Sequence, residues 1–330
     1  MTSVRASIEF IITFAMASVV AVVVDAVGAV VGFTPNAVDA QASATCAAVA
    51  AWCLVGSWVR GTYSFVDQLW SVAPVVYVGT YAYYARGTVA GARLAVMFAL
   101  TALWGTRLTY NFARKGGYAG EEDYRWAVLR KHKFLRNRVA WEVFNVTFIA
   151  FYQNVLLLLI TLPAAVAYRS TKGFDLMGAD GAAVACWFVA FVIEAVADEQ
   201  QWKFQQSKRD LAPKVPAWRE DYLRGFLTHG LFAYSRHPNF FAEQSIWVAF
   251  SMFAAASARP VNYFTPVIIG PVLLILLFQG STAFTESITA KKYPEYKNYQ
   301  ACTSALVLMP RFKALPPPKR VRTPSSRRSS

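Results

Sequence analysis

Apolar residues come in long blocks along this chain, at 7–32, 42–59, 72–85, 93–110, 141–168, 182–202, 240–256 and 264–284. Shorter stretches rich in charge, glycine and proline separate them. Most blocks are near the roughly 20 residues a helix needs to cross the hydrocarbon of a bilayer. Inside lipid every backbone polar group has to be bonded within the segment, so each block predicts an α-helix. The pattern predicts an all-α fold, a polytopic membrane helix bundle. The block at 72–85 is short, which leaves seven spans beside eight. The first block is interrupted only by Glu9, Thr13, Ser18 and Asp25. It is longer than the 7–15 residues of a signal-peptide core, so it predicts a retained anchor. Within it Gly28 and Gly32 suit close helix packing.

Composition sharpens this. The 330 residues are 56% hydrophobic and 16% charged, with mean hydropathy +0.33. Soluble domains carry roughly 25% charged residues. A soluble core would leave too much apolar surface, so that class is excluded.

Charge adds an orientation. Of the 33 Lys and Arg, 8 lie in 111–138, 7 in 203–237 and 10 in 291–330. Arg5, Arg60 and Arg107 join them on one side of an eight-span layout, against Arg86, Arg93, Arg169, Lys172 and Arg259 on the other. Basic loops stay cytoplasmic, so both termini are expected there. The net charge of +14 is thereby explained by topology and tail, which excludes a nucleic-acid partner. The stretch 311–330 holds 7 basic residues, no acid, and Pro316-Pro317-Pro318. It cannot build a core, and disorder is expected. Its charge suits anionic headgroups, and its serines suit phosphorylation.

Candidate chemistry is read from polar groups at the ends of the blocks. Cys46, Cys53, Cys186 and Cys302 are scattered, and only His132, His229 and His237 could supply imidazole, so no metal site is expected. No dinucleotide fingerprint follows a strand. In the sixth block Glu194, Asp198 and Gln201 fall at i, i+4 and i+7 and share one helix face. Glu194 lies about 12 Å of helix inside that block's end, counted back from Trp202. A carboxylate at that depth faces the bundle interior, either as a network between helices or as a polar floor for a ligand. The run Tyr234-Ser235-Arg236-His237-Pro238-Asn239-Phe240-Phe241-Ala242-Glu243 opens the seventh block. Arg236 there is equipped to grip phosphate in a bidentate manner. Pro238 keeps His237 out of the helix and suits the first helical turn. Asn239 and Glu243 then face together. Further polar groups are Ser64, Asp67 and Gln68 before the third block, and Arg107 and Tyr110 ending the fourth. The fifth block holds Glu142, Asn145, Gln153 and Asn154. Thr282, Glu286, Tyr293 and Tyr296 lie in and after the last block.

These runs resemble the steroid 5-alpha-reductase C-terminal superfamily, which includes sterol reductases and isoprenylcysteine carboxyl methyltransferases. Tyr234–Glu243 is similar to its R-H-P-N-Y-x-G-E motif. A steroid-reductase-like branch has stretches matched by Ser64 to Trp70, Trp104 to Thr109, Glu122 to Trp126 and Ala197 to Gln200, and by Glu286, Tyr293, Tyr296 and Pro310. The resemblance covers 63–310. It divides the chain into N-terminal spans at 1–62, a membrane domain at 63–310 and a basic tail at 311–330.

The resemblance implies a cavity between the C-terminal helices and the cytoplasmic loops. NADPH is expected there, contacted by Asp198, Asn239 and Glu243. Arg107, Glu194, Gln201, Tyr234, Arg236, His237, Glu286, Tyr293 and Tyr296 are further candidates. The implied reaction is hydride transfer to an activated C=C bond of a lipid or sterol-like substrate. Asp67, Gln68 and Tyr110 are the candidates for polarising the substrate, with Trp104 as an alternative to Tyr110; Asp67 can donate only if burial keeps it protonated. The same motif serves S-adenosylmethionine in the methyltransferases, so a lipid or prenyl methyltransferase stays open, as does a non-catalytic lipid-binding protein. The resemblance implies the endoplasmic reticulum membrane; a bacterial inner membrane suits the same topology.

Overall fold

In a computed structural model, the structure describes residues 34–120, 122–209, 218–258, 261 and 265–318, with isolated positions between 15 and 29. Every regular element among the described residues is helical. Four helical stretches are long and apolar enough to cross a membrane: Ala37–Arg60, Arg138–Tyr168, Ala179–Lys208 and Pro266–Lys292. They match the expected blocks at 42–59, 141–168, 182–202 and 264–284. The blocks at 72–85, 93–110 and 240–256 are also helical but outside that set. The first forms only the 12 residues Ala73–Tyr84. Gly91–Arg114 and Pro238–Ser257 dilute their apolar content with Arg107 and Asn111, and with Asn239, Glu243 and Gln244. The expected anchor at 7–32 falls outside the described residues except at isolated positions.

The chain forms two compact units, residues 1–187 with 246–275, and residues 188–245 with 276–330. In the first, helix α1 (Ala37–Arg60) starts on a capping box. Asn36 Oδ1 accepts from the amides of Val38 and Asp39, while Asp39 Oδ2 accepts from the Asn36 amide. Asp39 is buried, accepts from the Tyr81 hydroxyl at 2.8 Å and pairs with Arg169. It thereby ties the start of α1 to α3 (Ala73–Tyr84) and to the end of the 138–168 stretch. Between them come α2 (Phe65–Leu69) and, after α3, α4 (Gly91–Arg114). Gly105 lets α4 approach closely: a Cβ there would meet the Ser71 carbonyl oxygen and Val75 Cγ2, each at 2.6 Å. A hydroxyl contact between Ser71 and Thr109, 2.7 Å, closes the same seam.

The 138–168 stretch is not uniform. It runs as α6 (Arg138–Phe144), a π-helical segment Asn145–Tyr152, α7 (Gln153–Leu159) and α8 (Leu162–Tyr168), following the short α5 (Tyr124–Arg130). Arg93 is wholly buried in the same unit and donates from Nη1 to Ser170 Oγ at 3.3 Å, next to Arg169. It pairs with buried Asp180 through Nε and Nη2, at 2.8 and 2.9 Å, and donates to the carbonyls of Lys172 and Gly173.

In the second unit, α9 (Ala179–Arg209) supplies its later turns. The other elements are α10 (Arg219–Arg224), α11 (Pro238–Ser257) at its start, α12 (Ile269–Lys292) at its end, and α13 (Tyr296–Cys302). Phe226, Tyr296 and Tyr299 form a buried aromatic cluster against which Leu315 packs. Of the tail expected from residue 311 onward, 311–318 is described and held. Arg224 Nη2 donates to the Pro316 carbonyl at 2.6 Å, the Phe312 amide to Cys302 at 2.8 Å, and Arg311 to Thr228. The rest of the tail lies outside the described residues.

Candidate functional site

The second unit builds its polar centre around the Tyr234–Glu243 run. Proline 238 opens α11, and the residues before it leave helical geometry and pair with the chain's later segment. The amides of Arg236 and His237 donate to the carbonyls of Ser304 and Ala305 at 2.9 and 3.1 Å, and Met309 donates back to Tyr234 at 3.1 Å. Arg236 then turns its guanidinium inward. Nε and Nη2 hold both oxygens of Glu286, at 2.6 and 3.0 Å, and Nη1 reaches the carbonyls of Gln300 and Thr303. Glu286 also accepts from Tyr296 Oη at 3.2 Å and Gln300 Nε2 at 2.7 Å, and lies 3.0 Å from His237 Nε2. Burial works against the Arg236 charge, but the Glu286 carboxylate outweighs it and raises the guanidinium further. Burial, with Glu286 adding to it, likewise pushes the Tyr296 phenol up.

This network corrects one reading of Arg236. Its donors are committed to a carboxylate and two carbonyls inside the protein, so its contacts are those of a clamp on the C-terminal segment rather than on phosphate. His237, Glu286 and Tyr296 belong to the same clamp.

A second cluster lies beside it in the same unit. Glu194 and Asp198 are 4% and 5% exposed on α9, and Glu243 is buried on α11. Asn239 Nδ2 donates to Asp198 Oδ1 at 3.3 Å. Gln201 follows on α9, half-buried. Asp198 and Asn239 thus meet from two different helices. Tyr234 is exposed and takes no side-chain part. A groove of about 560 Å³ also runs along α9, lined by Ala195, Val196, Glu199, Gln200, Lys203 and Trp218. At 100° per residue these α9 positions face away from Glu194, Asp198 and Gln201, so groove and carboxylates do not coincide.

Tyr293 sits at the edge of the unit. Lys208 Nζ donates to its hydroxyl at 2.6 Å and to the Gly225 carbonyl at 2.7 Å. Burial pushes this phenol up, but the Lys208 ammonium and then Lys292 outweigh it and bring it below its ordinary value. Lys208 and Gln300 were not legible as site residues. Their partners lie 85 and 14 positions away, and nothing in the local pattern marks either one.

In the first unit, Asp67 accepts from Trp126 Nε1 at 3.0 Å and from Arg125 Nη2 at 3.4 Å, and the Asp123 amide donates to Ser64 Oγ at 2.9 Å. Two separate sequence runs, around Ser64 to Trp70 and Glu122 to Trp126, therefore meet. Burial pushes the Asp67 carboxyl up to about 6; the Arg125 charge opposes this and Asp123 adds to it. Gln68 adjoins, with Nε2 on the Gly117 carbonyl at 3.5 Å. Tyr110 does not join them. It is 64% exposed, with its ring 5.4 Å from the Arg114 guanidinium. Trp104 is buried and packs edge-on against Trp247 at 4.9 Å. Arg107 is half-buried on α4, in the first unit.

Comparison with known proteins gives two matches. A family model described as protein of unknown function (DUF1295) matches residues 51–303. An uncharacterized protein of Schizosaccharomyces pombe is 36% identical over 254 residues, which cover 74% of this chain and 72% of that one. No solved structure matches.

Proposed function

The chain belongs to the DUF1295 family, and we propose that it is an integral membrane reductase, transferring hydride from NADPH to an activated C=C bond of a lipid or sterol-like substrate. The observation that carries this reading is the Asp198–Asn239 pair at 3.3 Å, with Asp198 buried and Asn239 half-buried on two apolar helices that also carry buried Glu194 and Glu243. Polar groups at such depth are costly unless they hold a ligand or one another. Asp198, Asn239 and Glu243 are also the positions that the resemblance to the steroid 5-alpha-reductase superfamily implies for cofactor contact.

The chemistry of this set fits the sugar and amide parts of NADPH. Carboxylate oxygens accept from ribose hydroxyls and from the carboxamide nitrogen, and Asn239 offers both a donor and an acceptor. The phosphates need cations. With Arg236 committed to Glu286, Lys208 and Lys292 beside Tyr293 are the second unit's candidates. When bound, NADPH would supply the hydride. The protein's part is to orient the acceptor and stabilise the enolate oxygen that develops. Asp67, whose carboxyl burial pushes up to about 6, would donate such a hydrogen bond only below about that pH and is mostly ionised at neutral pH.

Seven or eight spans, cytoplasmic termini and residence in the endoplasmic reticulum belong to the same proposal. The four long apolar helices support the membrane setting.

One observation favours a second reading. The run Tyr234–Glu243 resembles a motif that also serves S-adenosylmethionine in the methyltransferases of the steroid 5-alpha-reductase superfamily. The test is thermal shift of the purified full chain in detergent with NADPH, NADH and S-adenosylmethionine. A ligand at 100 times its dissociation constant stabilises by about 2.7 kcal/mol. A shift with NADPH that disappears in Asn239→Ala supports the reductase. A shift with S-adenosylmethionine alone makes the protein a methyltransferase, and no shift with any of the three favours a non-catalytic lipid-binding protein.

A further inference from the structure

Among the four stretches able to cross a membrane, Ala179–Lys208 is sparsely covered by protein. Of its apolar window 28% is buried, against 61% for Arg138–Tyr168. Phe188, Val189, Val192 and Val196 are exposed on it. At 100° per residue they form one stripe, and Glu199 and Lys203 continue that stripe toward the helix end. The stripe runs into the groove of about 560 Å³ along α9, which is lined, among the described residues, by Ala195, Val196, Glu199, Gln200, Lys203 and Trp218. Ligand clefts run from about 300 to 1,000 Å³, so this groove has room for a polar headgroup.

The groove is graded along the helix. Ala195 and Val196 form its inner end. Lys203 forms its outer end, about 12 Å further along the helix axis and close to Lys208, where the apolar span stops. Apolar walls toward the hydrocarbon and charges toward water follow the order of an amphiphile's own chain and headgroup. Trp218 supplies a side chain of the type enriched where membrane meets water.

The polar lining defines the headgroup. Lys203 Nζ lies 3.5 Å from Glu199 Oε1, and both side chains are exposed enough to meet a ligand. An exposed pair of this kind contributes about 0.2–1 kcal/mol, so it yields its mutual contact at little cost. A phosphate then accepts from Lys203, and an ammonium on the same headgroup pairs with Glu199. Gln200 Oε1 accepts from the Leu231 amide at 3.0 Å, which fixes the side-chain amide and leaves Nε2 as a second donor for phosphate. The Trp218 ring offers its face to a quaternary ammonium. A purely anionic headgroup has no cation to set against Glu199. We propose that this groove binds one phosphatidylcholine molecule, with its phosphate on Lys203 and Gln200, its choline against Glu199 and Trp218, and an acyl chain along the Phe188 to Val196 stripe. The groove faces away from Glu194, Asp198 and Gln201, so this site does not depend on the reductase reading.

The test is native mass spectrometry of the full chain in nonionic detergent, titrated with dioleoyl phosphatidylcholine, phosphatidylethanolamine or phosphatidylglycerol, which share their chains. The native chain should take up one phosphatidylcholine saturably, about fivefold more tightly than phosphatidylglycerol. Glu199→Gln should abolish that preference, because it removes the partner of the ammonium and the repulsion of the anion together. Lys203→Gln should weaken both lipids. Glu199 and Lys203 lie on an exposed face, so each lipid-free variant should melt with the native chain. Equal affinity of the native chain for phosphatidylcholine and phosphatidylglycerol overturns the proposal and leaves an unselective lipid shell around α9. A preference that survives Glu199→Gln belongs to another surface and overturns it too. Tighter binding of phosphatidylethanolamine than of phosphatidylcholine overturns the assignment of choline to Glu199 and Trp218.

Discussion

Arg236 grips Glu286 with two parallel hydrogen bonds, 2.6 Å from Nε and 3.0 Å from Nη2, although 50 residues separate them. Both side chains are about nine-tenths buried. The same guanidinium holds the Gln300 carbonyl, so the pair fastens α13 to the start of α11. Removing one partner of such a pair strands the other charge. Glu286→Ala should therefore lower the unfolding free energy by about 3 kcal/mol. Arg236→Lys keeps the charge but loses the fork, and should fall between the native chain and Glu286→Ala. Denaturation of the purified chain in mixed micelles checks both; a Glu286→Ala protein as stable as the native one would leave the clamp without energetic weight.

Asp67 makes stability depend on pH. Burial has pushed its carboxyl up to about 6, against an ordinary value near 4. Between those values the folded chain keeps a proton that the unfolded chain has released. The contribution is complete below about pH 4 and is lost as pH rises through 6. Two units correspond to roughly 2–3 kcal/mol. Asp67→Asn mimics the protonated form at every pH. The native chain should lose about 2 kcal/mol relative to that variant between pH 4 and pH 7, read from paired denaturation curves.

The membrane character was legible because lipid permits one solution to a long apolar block, a helix with its backbone bonded internally. Tyr110 is 64% exposed on α4, whereas Trp104, the alternative to it, is buried. Tyr110 lies about 120° around the helix from Trp104, far enough for one to be buried and the other exposed. The π-helical turn had no signature, because Asn145–Tyr152 is apolar on nearly every face and a change of period leaves no trace there. The Asp198–Asn239 pair was half legible: spacing placed each on its own helix face, but only the fold could join them. The partners of Arg236 were out of reach, since a guanidinium reads the same before phosphate or carboxylate.

Arg93 and Asp180 offer a sharper test of a buried ion pair than Arg236 does. Both are essentially unexposed, and Arg93 fills its remaining donors with the carbonyls of Lys172 and Gly173. Asp180→Asn leaves a buried charge uncompensated and should cost about 3–5 kcal/mol. Replacing both by apolar residues of similar size, Arg93→Met with Asp180→Leu, removes that charge. It should recover much of the loss, less what the two carbonyls forfeit. A double variant no more stable than Asp180→Asn would mean that the carbonyl contacts, rather than the ion pair, hold these loops.

Gly225 is required by two independent constraints. Its φ is +85°, in the left-handed region, where it caps α10 with its amide on the Asp221 carbonyl. A Cβ there would also meet the Tyr293 ring at 2.4 Å. The left-handed conformation alone costs a side chain about 1–2 kcal/mol, and the ring has to move in addition. Gly225→Ala should therefore lose at least about 2 kcal/mol of stability. If the ring moves, it leaves Lys208, whose ammonium bridges the Tyr293 hydroxyl and the Gly225 carbonyl. Burial favours the neutral phenol and Lys208 favours the phenolate. Both Gly225→Ala and Lys208→Met should thus move Tyr293 ionisation to higher pH. Alkaline titration of phenolate absorbance, with Tyr293→Phe as the subtracted background, reads that change. A midpoint unchanged in Lys208→Met would mean that Lys292, not Lys208, sets the phenol.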